Sequence, residues 1–314
     1  MMSEILEIPQ SARAAVGVEV TRLQLRVVAL EDNAIRQNYE IPLEYSDPLG
    51  LRLAAVIAEV KQRYRTDVCG IAVSGLVNRL TNRVVLSTQI PELVNGDLAA
   101  ELTAQTGVRV HLENDANAAA FGEFALGAGR HSRSLFFATI GAGIGGSLIL
   151  NGEIWRGANG FAGEFGHIAI NEDGVKLEDV ASAINIVRRT RERLLQDSTS
   201  SLSRGLLEKV ATVANIVQAA QDGDDFAQLM LERTGAYIGT AIASVINLLN
   251  VEKVVLGGEV MEAGGVILES IKRKAQQRSF QPSFEAASVS GAELGANAAS
   301  IGAALLALRT VRET

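Results

Sequence analysis

Between Thr139 and Gly152 the chain reads TIGAGIGGSLILNG, in which four glycines, Gly141, Gly143, Gly145 and Gly146, fall within six residues. An apolar strand precedes the cluster, and a second apolar run leads into Asn151-Gly152, a pair that favours a tight hairpin turn. Residues without a Cβ let backbone approach backbone closely at a strand end. Such a loop can lay N–H groups against phosphate oxygens, or it can be a plain hairpin. It is not the dinucleotide fingerprint, which needs a helix directly after the loop where this chain has a strand.

A single core stops growing at roughly 250 to 300 residues, so 314 residues predict two lobes. Antiparallel strands are expected over Ala14–Val18 and Leu23–Leu30, with a third near Ile35–Ile41. Asp47 and Pro48 then open an amphipathic helix, LGLRLAAVIAEVKQRY, followed by a strand over Val68–Ser74. Asp97–Gln105 and Asn114–Ala125 read as helices on either side of a strand at Val108–Leu112. Leu177–Leu249 is mainly helical, with polar breaks at Asp197–Ser203 and Gln221–Asp225. The chain closes with a strand at Val254–Leu256, a helix from Met261, a strand near Glu285–Val289 and a helix from Ala296. The class is α/β, with glycine clusters at strand ends, where open sheets place ligands.

Two further segments carry chemistry. In ENDANAAAFGE, Glu113–Glu123, Asp115 is a general-base candidate for a sugar hydroxyl, and Asn114 and Asn117 can bond hydroxyls or fix the loop. Equally, Asn and Asp there can be no more than a helix cap. In GEFGH, Glu164 and His167 can both bond vicinal hydroxyls, though each alone can be an ordinary surface or core residue.

Together these segments resemble the ROK family (repressors, open reading frames, kinases) from Val16 to about Leu308. VVLGGEV, with Gly257 and Gly258, and the closing ELGANAASIGAALLA extend the likeness. The resemblance implies a two-lobed actin-like ATPase fold in which sugar and nucleotide meet in the cleft. The smaller lobe would take residues 12–112 and 296–314, and the larger one residues 113–295. It implies that Asp115 is the catalytic base, and that Gly75, Asn114, Asp115, Glu164, His167 and Glu178 hold a sugar. Thr139, Gly141, Gly143, Gly145, Gly257 and Gly258 would face Mg-ATP, and a homodimer is expected.

The chain departs from the family pattern at three places. Family kinases open with an Asp, two glycines and a Thr; here GVEVTRLQL puts Glu19 for the Asp and Thr21, Arg22 and Leu23 in place of Gly-Gly-Thr. Side chains there narrow or abolish the phosphate cradle, and Arg22 is either a compensating charge or, the favoured reading, a solvated strand-end arginine. Most members hold zinc through the His of the GH pair and three following cysteines. Here Ile168–Leu177 has none, and the lone Cys69 lies in an apolar strand, so no metal is expected. Family repressors carry a winged helix-turn-helix ahead of this fold, for which about fifteen residues are too few.

A net charge of −7 argues against tracking phosphates of nucleic acid, and no apolar run reaches the roughly 18 residues of a membrane span. A cytoplasmic protein without direct nucleic-acid or membrane partners is expected. Two functions remain: a sugar-binding, kinase-like protein with weak ATP-dependent phosphorylation of a hexose or N-acetylhexosamine, or a non-catalytic sugar sensor. A relic cleft, with assembly as the only function, is the bland alternative.

Overall fold

The computed structural model describes residues 14–44, 48–94, 96–194, 200–204 and 212–310. They fall into two compact units. The first takes the described residues up to His131, Leu148–Ala162, and those from Glu293 onward; the second takes Ser132–Ser147 and Gly163–Ala292.

The chain order is β1 (Ala14–Val20), β2 (Gln24–Glu31), β3 (Ala34–Pro42), α1 (Leu49–Tyr64), β4 (Val68–Val73), β5 (Leu76–Asn78), β6 (Arg83–Leu86), α2 (Leu98–Thr106), β7 (Arg109–Asn114) and α3 (Asp115–Leu126). Next come β8 (Ser134–Ile140), β9 (Ile144–Leu150), β10 (Glu153–Trp155), α4 (Glu178–Ala181), α5 (Ala183–Leu194), α6 (Val213–Gln221) and α7 (Asp225–Leu249). Last are β11 (Lys253–Gly257), α8 (Gly265–Arg278), α9 (Gln281–Ala286), β12 (Ser288–Gly291) and α10 (Ala298–Thr310).

The first unit is built on a sheet of order β3-β2-β1-β4-β7, antiparallel at β1–β2 and parallel from β1 to β7. Strand β4, VCGIAV, is buried at every residue, as a central strand covered on both faces must be. Val16, Val18 and Val20 join the core made with Leu53, Ile57 and Leu102 of α1 and α2. Gly17, of opposite parity, meets α10 instead: a Cβ on it would lie 1.7 Å from Ser300 O. A Cβ on Gly70 would lie 1.9 Å from Ala303 O, and one on Gly302 1.7 Å from Ala118 O of α3. The alanine-rich α10 therefore lies against the sheet and against α3 at backbone distance.

The second sheet has the order β10-β9-β8-β11-β12, with β11 parallel to β8 and β12. In the second unit α7 and α8 cross closely, because a Cβ on Gly239 would stand 2.5 Å from Ile271 O. Among the described residues no helix is long and apolar enough to cross a membrane.

Several expectations are corrected. The helix expected from Met261 begins at Gly265, after a 3-10 turn over Glu259–Ala263. The strand expected near Glu285–Val289 is first helix α9, opened by Pro282 in its first turn, and then β12. The β5–β6 hairpin was not foreseen; Asn78 Oδ1 accepts from Leu80 N and Thr81 N and so builds its turn. Residues 113–131 and 148–162 group with the first unit because α3 packs on α10 and Arg156 binds Glu113. Asp47 and residues 197–199 of the expected break lie outside the described residues, and Pro48 occupies the N-cap of α1.

Candidate functional site

Strand β7 ends at Asn114 and α3 begins at Asp115, and the junction is tied by side chains. Asn114 has an extended backbone (φ −63°, ψ 142°) and caps α3, its Oδ1 accepting from Asn117 N at 3.0 Å. Its Nδ2 donates to Gly75 O at 3.0 Å and to Asp115 Oδ1 at 3.1 Å. Gly75 must lack a side chain, since a Cβ there would stand 2.4 Å from Leu86 O. Because Asn114 serves as the cap, the cap and base readings do not compete: Asp115 is left on the first helical turn. Asp115 is half-buried, and its Oδ1 also accepts from Ala116 N at 2.8 Å. Loss of solvation, reinforced by the charge of Glu19, pushes its carboxyl up to about 7, against hydrogen bonds from Ala116 N and the Ser74 hydroxyl. A carboxyl group titrating there is matched to taking a proton at neutral pH.

Beneath this turn lies an ion pair that the sequence did not announce. Glu113 is 3 % exposed, and its Oε1 accepts from Asn114 N, Asn117 Nδ2 and Arg156 Nη1 at 2.9, 3.1 and 2.9 Å. Its Oε2 accepts from Arg156 Nη2 at 2.6 Å. This bidentate pair fixes the backbone from which Asn114 and Asp115 project. Arg156 stands just past the β9–β10 hairpin with nothing local to mark it, so no sequence signal could have found it.

The β1–β2 turn, where the family cradles phosphate, is closed on itself. Thr21 Oγ1 accepts from Gln24 N at 3.0 Å and from Leu23 N at 3.3 Å, and donates to Gln24 O at 2.8 Å. These two amides are therefore spent within the turn, and exposed side chains of Arg22 and Leu23 occupy it. The Arg26 guanidinium bonds Glu19 at 3.0 Å and Glu40 at 2.8 Å. Burial raises the Glu19 carboxyl, with Arg26 opposing. The turn does not fit a nucleotide phosphate.

In the second unit, Thr139 is the register partner of Gly257 in the parallel pair β8–β11, so the glycine loop and the Gly257-Gly258 pair share the carboxyl end of that sheet. Gly258 has φ +92°, and a Cβ on it would lie 2.4 Å from Ile140 O, which only glycine permits. Gly141 N donates to Gly143 O at 2.9 Å, Gly141 O accepts from Ala183 N at 2.7 Å, and Gly145 lies half-buried in β9. Nothing but Gly143 O approaches a Cβ built on Gly141, so the loop tip is open.

Glu178 Oε2 accepts from Ile144 N at 2.9 Å, so the expected sugar carboxylate braces the expected phosphate loop. Glu164 and His167 are exposed on a 3-10 turn over Phe165–His167, anchored by buried Phe165 against Phe136. Between His167 and Glu178 the chain folds back: Ala169 bridges Lys176, Ile170 N donates to Val175 O and Leu177 N to Ile168 O. Lys176 Nζ stands 3.1 Å from His167 Nδ1. An ammonium group only donates, so in this contact Nδ1 of His167 is the acceptor. The structure thus gathers Gly75, Asn114 and Asp115 in one unit, and Glu164, His167, Glu178 and the nucleotide-side glycines in the other.

The ROK family model matches residues 14–310. The chain is 31% identical to a glucokinase of Halalkalibacterium halodurans, over 93% of this chain and 94% of that one. It is 27% identical to the xylose repressor of Bacillus spizizenii, over 74% of this chain and 59% of the repressor. Among solved structures, a ROK family glucokinase from Streptomyces griseus in complex with glucose and AMPPNP superposes with a TM-score of 0.81. That match has 25% identity and covers 94% of this chain and 99% of the other.

Proposed function

Since the chain belongs to the ROK family and has its actin-like ATPase fold, we propose that it is a kinase-like sugar-binding protein. In this reading it grips a hexose or N-acetylhexosamine and phosphorylates it slowly at the expense of Mg-ATP. The observation that carries the reading is the tied Asn114–Asp115 turn, with a carboxyl titrating near neutrality on an immobilised backbone. Asp115 takes the proton of the reacting hydroxyl, and Asn114 orients it. By family likeness Glu164, His167 and Glu178 bond further ring hydroxyls. Mg-ATP supplies the phosphoryl group, and the open loop at Gly141–Gly143, with Gly257 and Gly258, is the part of the chain suited to it.

Phosphoryl transfer rests almost wholly on positioning and charge neutralisation, so the closed β1–β2 turn costs rate rather than sugar affinity. That same turn supports a second reading, a non-catalytic sugar sensor, in keeping with the likeness to a repressor. ADP release over a panel of hexoses and N-acetylhexosamines separates the two. The kinase reading requires slow turnover that Asp115→Ala abolishes. Sugar binding without turnover leaves the sensor, and no sugar binding rejects both.

A further inference from the structure

Asparagine is followed directly by glycine at 95–96, 151–152 and 159–160. In such a pair the glycine's backbone nitrogen can attack the asparagine's side-chain carbonyl, because no side chain of its own shields it. Asn95 lies outside the described residues, and the structure holds the other two pairs differently. Asn151 and Gly152 make the two-residue turn between β9 and β10. Leu150 and Glu153 pair on either side of it, Asn151 has φ 52°, and Gly152 is buried with φ 81°. Ring closure needs the asparagine Cβ and the next nitrogen on the same side of the Cα–C bond, and this turn type holds them apart. Asn151 therefore reacts only if the hairpin opens. Asn159 stands in the loop that Ala162 N closes by donating to Arg156 O at 3.1 Å. Its side chain is exposed, and among the described residues neither it nor the Gly160 amide has a hydrogen-bond partner. Gly160 has φ +85°, and within 4 Å a Cβ on it would meet Val77 O alone, at 3.9 Å, so the space beside the pair is open.

We propose that Asn159 is a covalent modification site of the folded protein, where the side-chain amide converts to a carboxylate while Asn151 is spared. The Gly160 nitrogen bonds to Cγ of Asn159, the bond from Cγ to the side-chain nitrogen breaks, and ammonia leaves with the proton that the Gly160 amide gives up. Water then opens the cyclic imide. Attack at Cγ leaves an ordinary aspartate, and attack at the main-chain carbonyl leaves an isoaspartate, with no change of oxidation state. Either product puts a negative charge where the chain had a neutral amide, and isoaspartate also adds a methylene to the main chain inside the closed loop. That loop closes on Arg156, which holds Glu113, so the change falls on the brace beneath Asn114 and Asp115.

The test is ageing of the full chain in mildly alkaline buffer, folded and in guanidinium chloride, followed by peptide mapping in a mass spectrometer. In the denaturant both pairs are expected to convert at similar rates, since the same two residues then meet the same solvent. In the folded chain Asn159 should stay within about threefold of its denatured rate and Asn151 should fall about tenfold or more below its own, because a site held by structure reacts only while it is open. Asn159→Gln, whose longer side chain closes its ring far more slowly, should remove the acidic form from isoelectric focusing of the aged protein. The parent and this variant should melt together when fresh, and the parent lower after ageing. Equal rates at both pairs in the folded chain, faster loss at Asn151, or conversion of Asn159 only in the denaturant overturns the proposal. Unchanged melting after full conversion overturns its link to the brace. Because no sugar or nucleotide is present, the outcome is independent of the proposed kinase activity.

Discussion

Asp115 is the residue at which fold and chemistry conflict. Its carboxyl is ordinarily half-protonated at 3.8, and burial beside Glu19 moves that point to about 7. The native state therefore holds a proton that the unfolded chain releases between these values. The stability associated with the protonated group is fully present below pH about 4 and is lost as pH rises through about 7. Asp115→Asn, uncharged throughout, should accordingly melt higher than the parent at pH 8 and no higher at pH 4, while losing all turnover. Thermal melts across that range check this, and equal melting at pH 8 would show that the carboxylate is not strained there. The capped junction at Asn114 and Asp115 was legible in the sequence because acid and amide stand together where strand gives way to helix. Arg156 was not, because its role is set by a partner forty-three positions earlier in the chain.

Two elements carry consequences of their own. Helix α10 lies on β1 and β4 at backbone distance, and the glycines that allow this cannot take a methyl group. Gly17→Ala should cost about 1–3 kcal/mol, the usual range for overpacking, measured as a shift of the urea midpoint. The β1–β2 turn makes the converse case. Replacing Thr21, Arg22 and Leu23 by Gly, Gly and Thr removes the hydroxyl that occupies Leu23 N and Gln24 N. ADP release should rise about tenfold or more while sugar affinity holds, since one oriented donor at a developing charge is worth that much. Unchanged turnover would place the defect elsewhere. The sequence disclosed the loss of glycines here, but not that Thr21 itself fills the cradle, because a hydroxyl's choice of partner depends on the turn it helps to make. Likewise the strand expected near Glu285–Val289 begins on the end of α9, a helix of six residues, too short to show a period, whose Pro282 acts as a helix start only in context.

Across the whole molecule, what could be read in advance were long periodic helices such as α1 and α7 and buried apolar strands such as β4. The pairing of Arg156 with Glu113 could not, since the two residues are distant in sequence. In place of a zinc loop the second unit has the short fold-back from Ile168 to Leu177, closed by backbone hydrogen bonds and by Lys176 on His167. Treatment with a strong chelator should therefore leave the melting temperature unchanged; a drop would reveal a structural metal. The proposed function rests above all on the Asn114–Asp115 turn as a sugar grip. Calorimetric titration of hexoses and N-acetylhexosamines, without nucleotide, tests it most directly. At least one such sugar should bind the parent, and Asp115→Ala should weaken it about tenfold or more, as loss of a charged hydrogen-bond partner requires. Absence of binding across the panel, or equal binding by parent and variant, would contradict it.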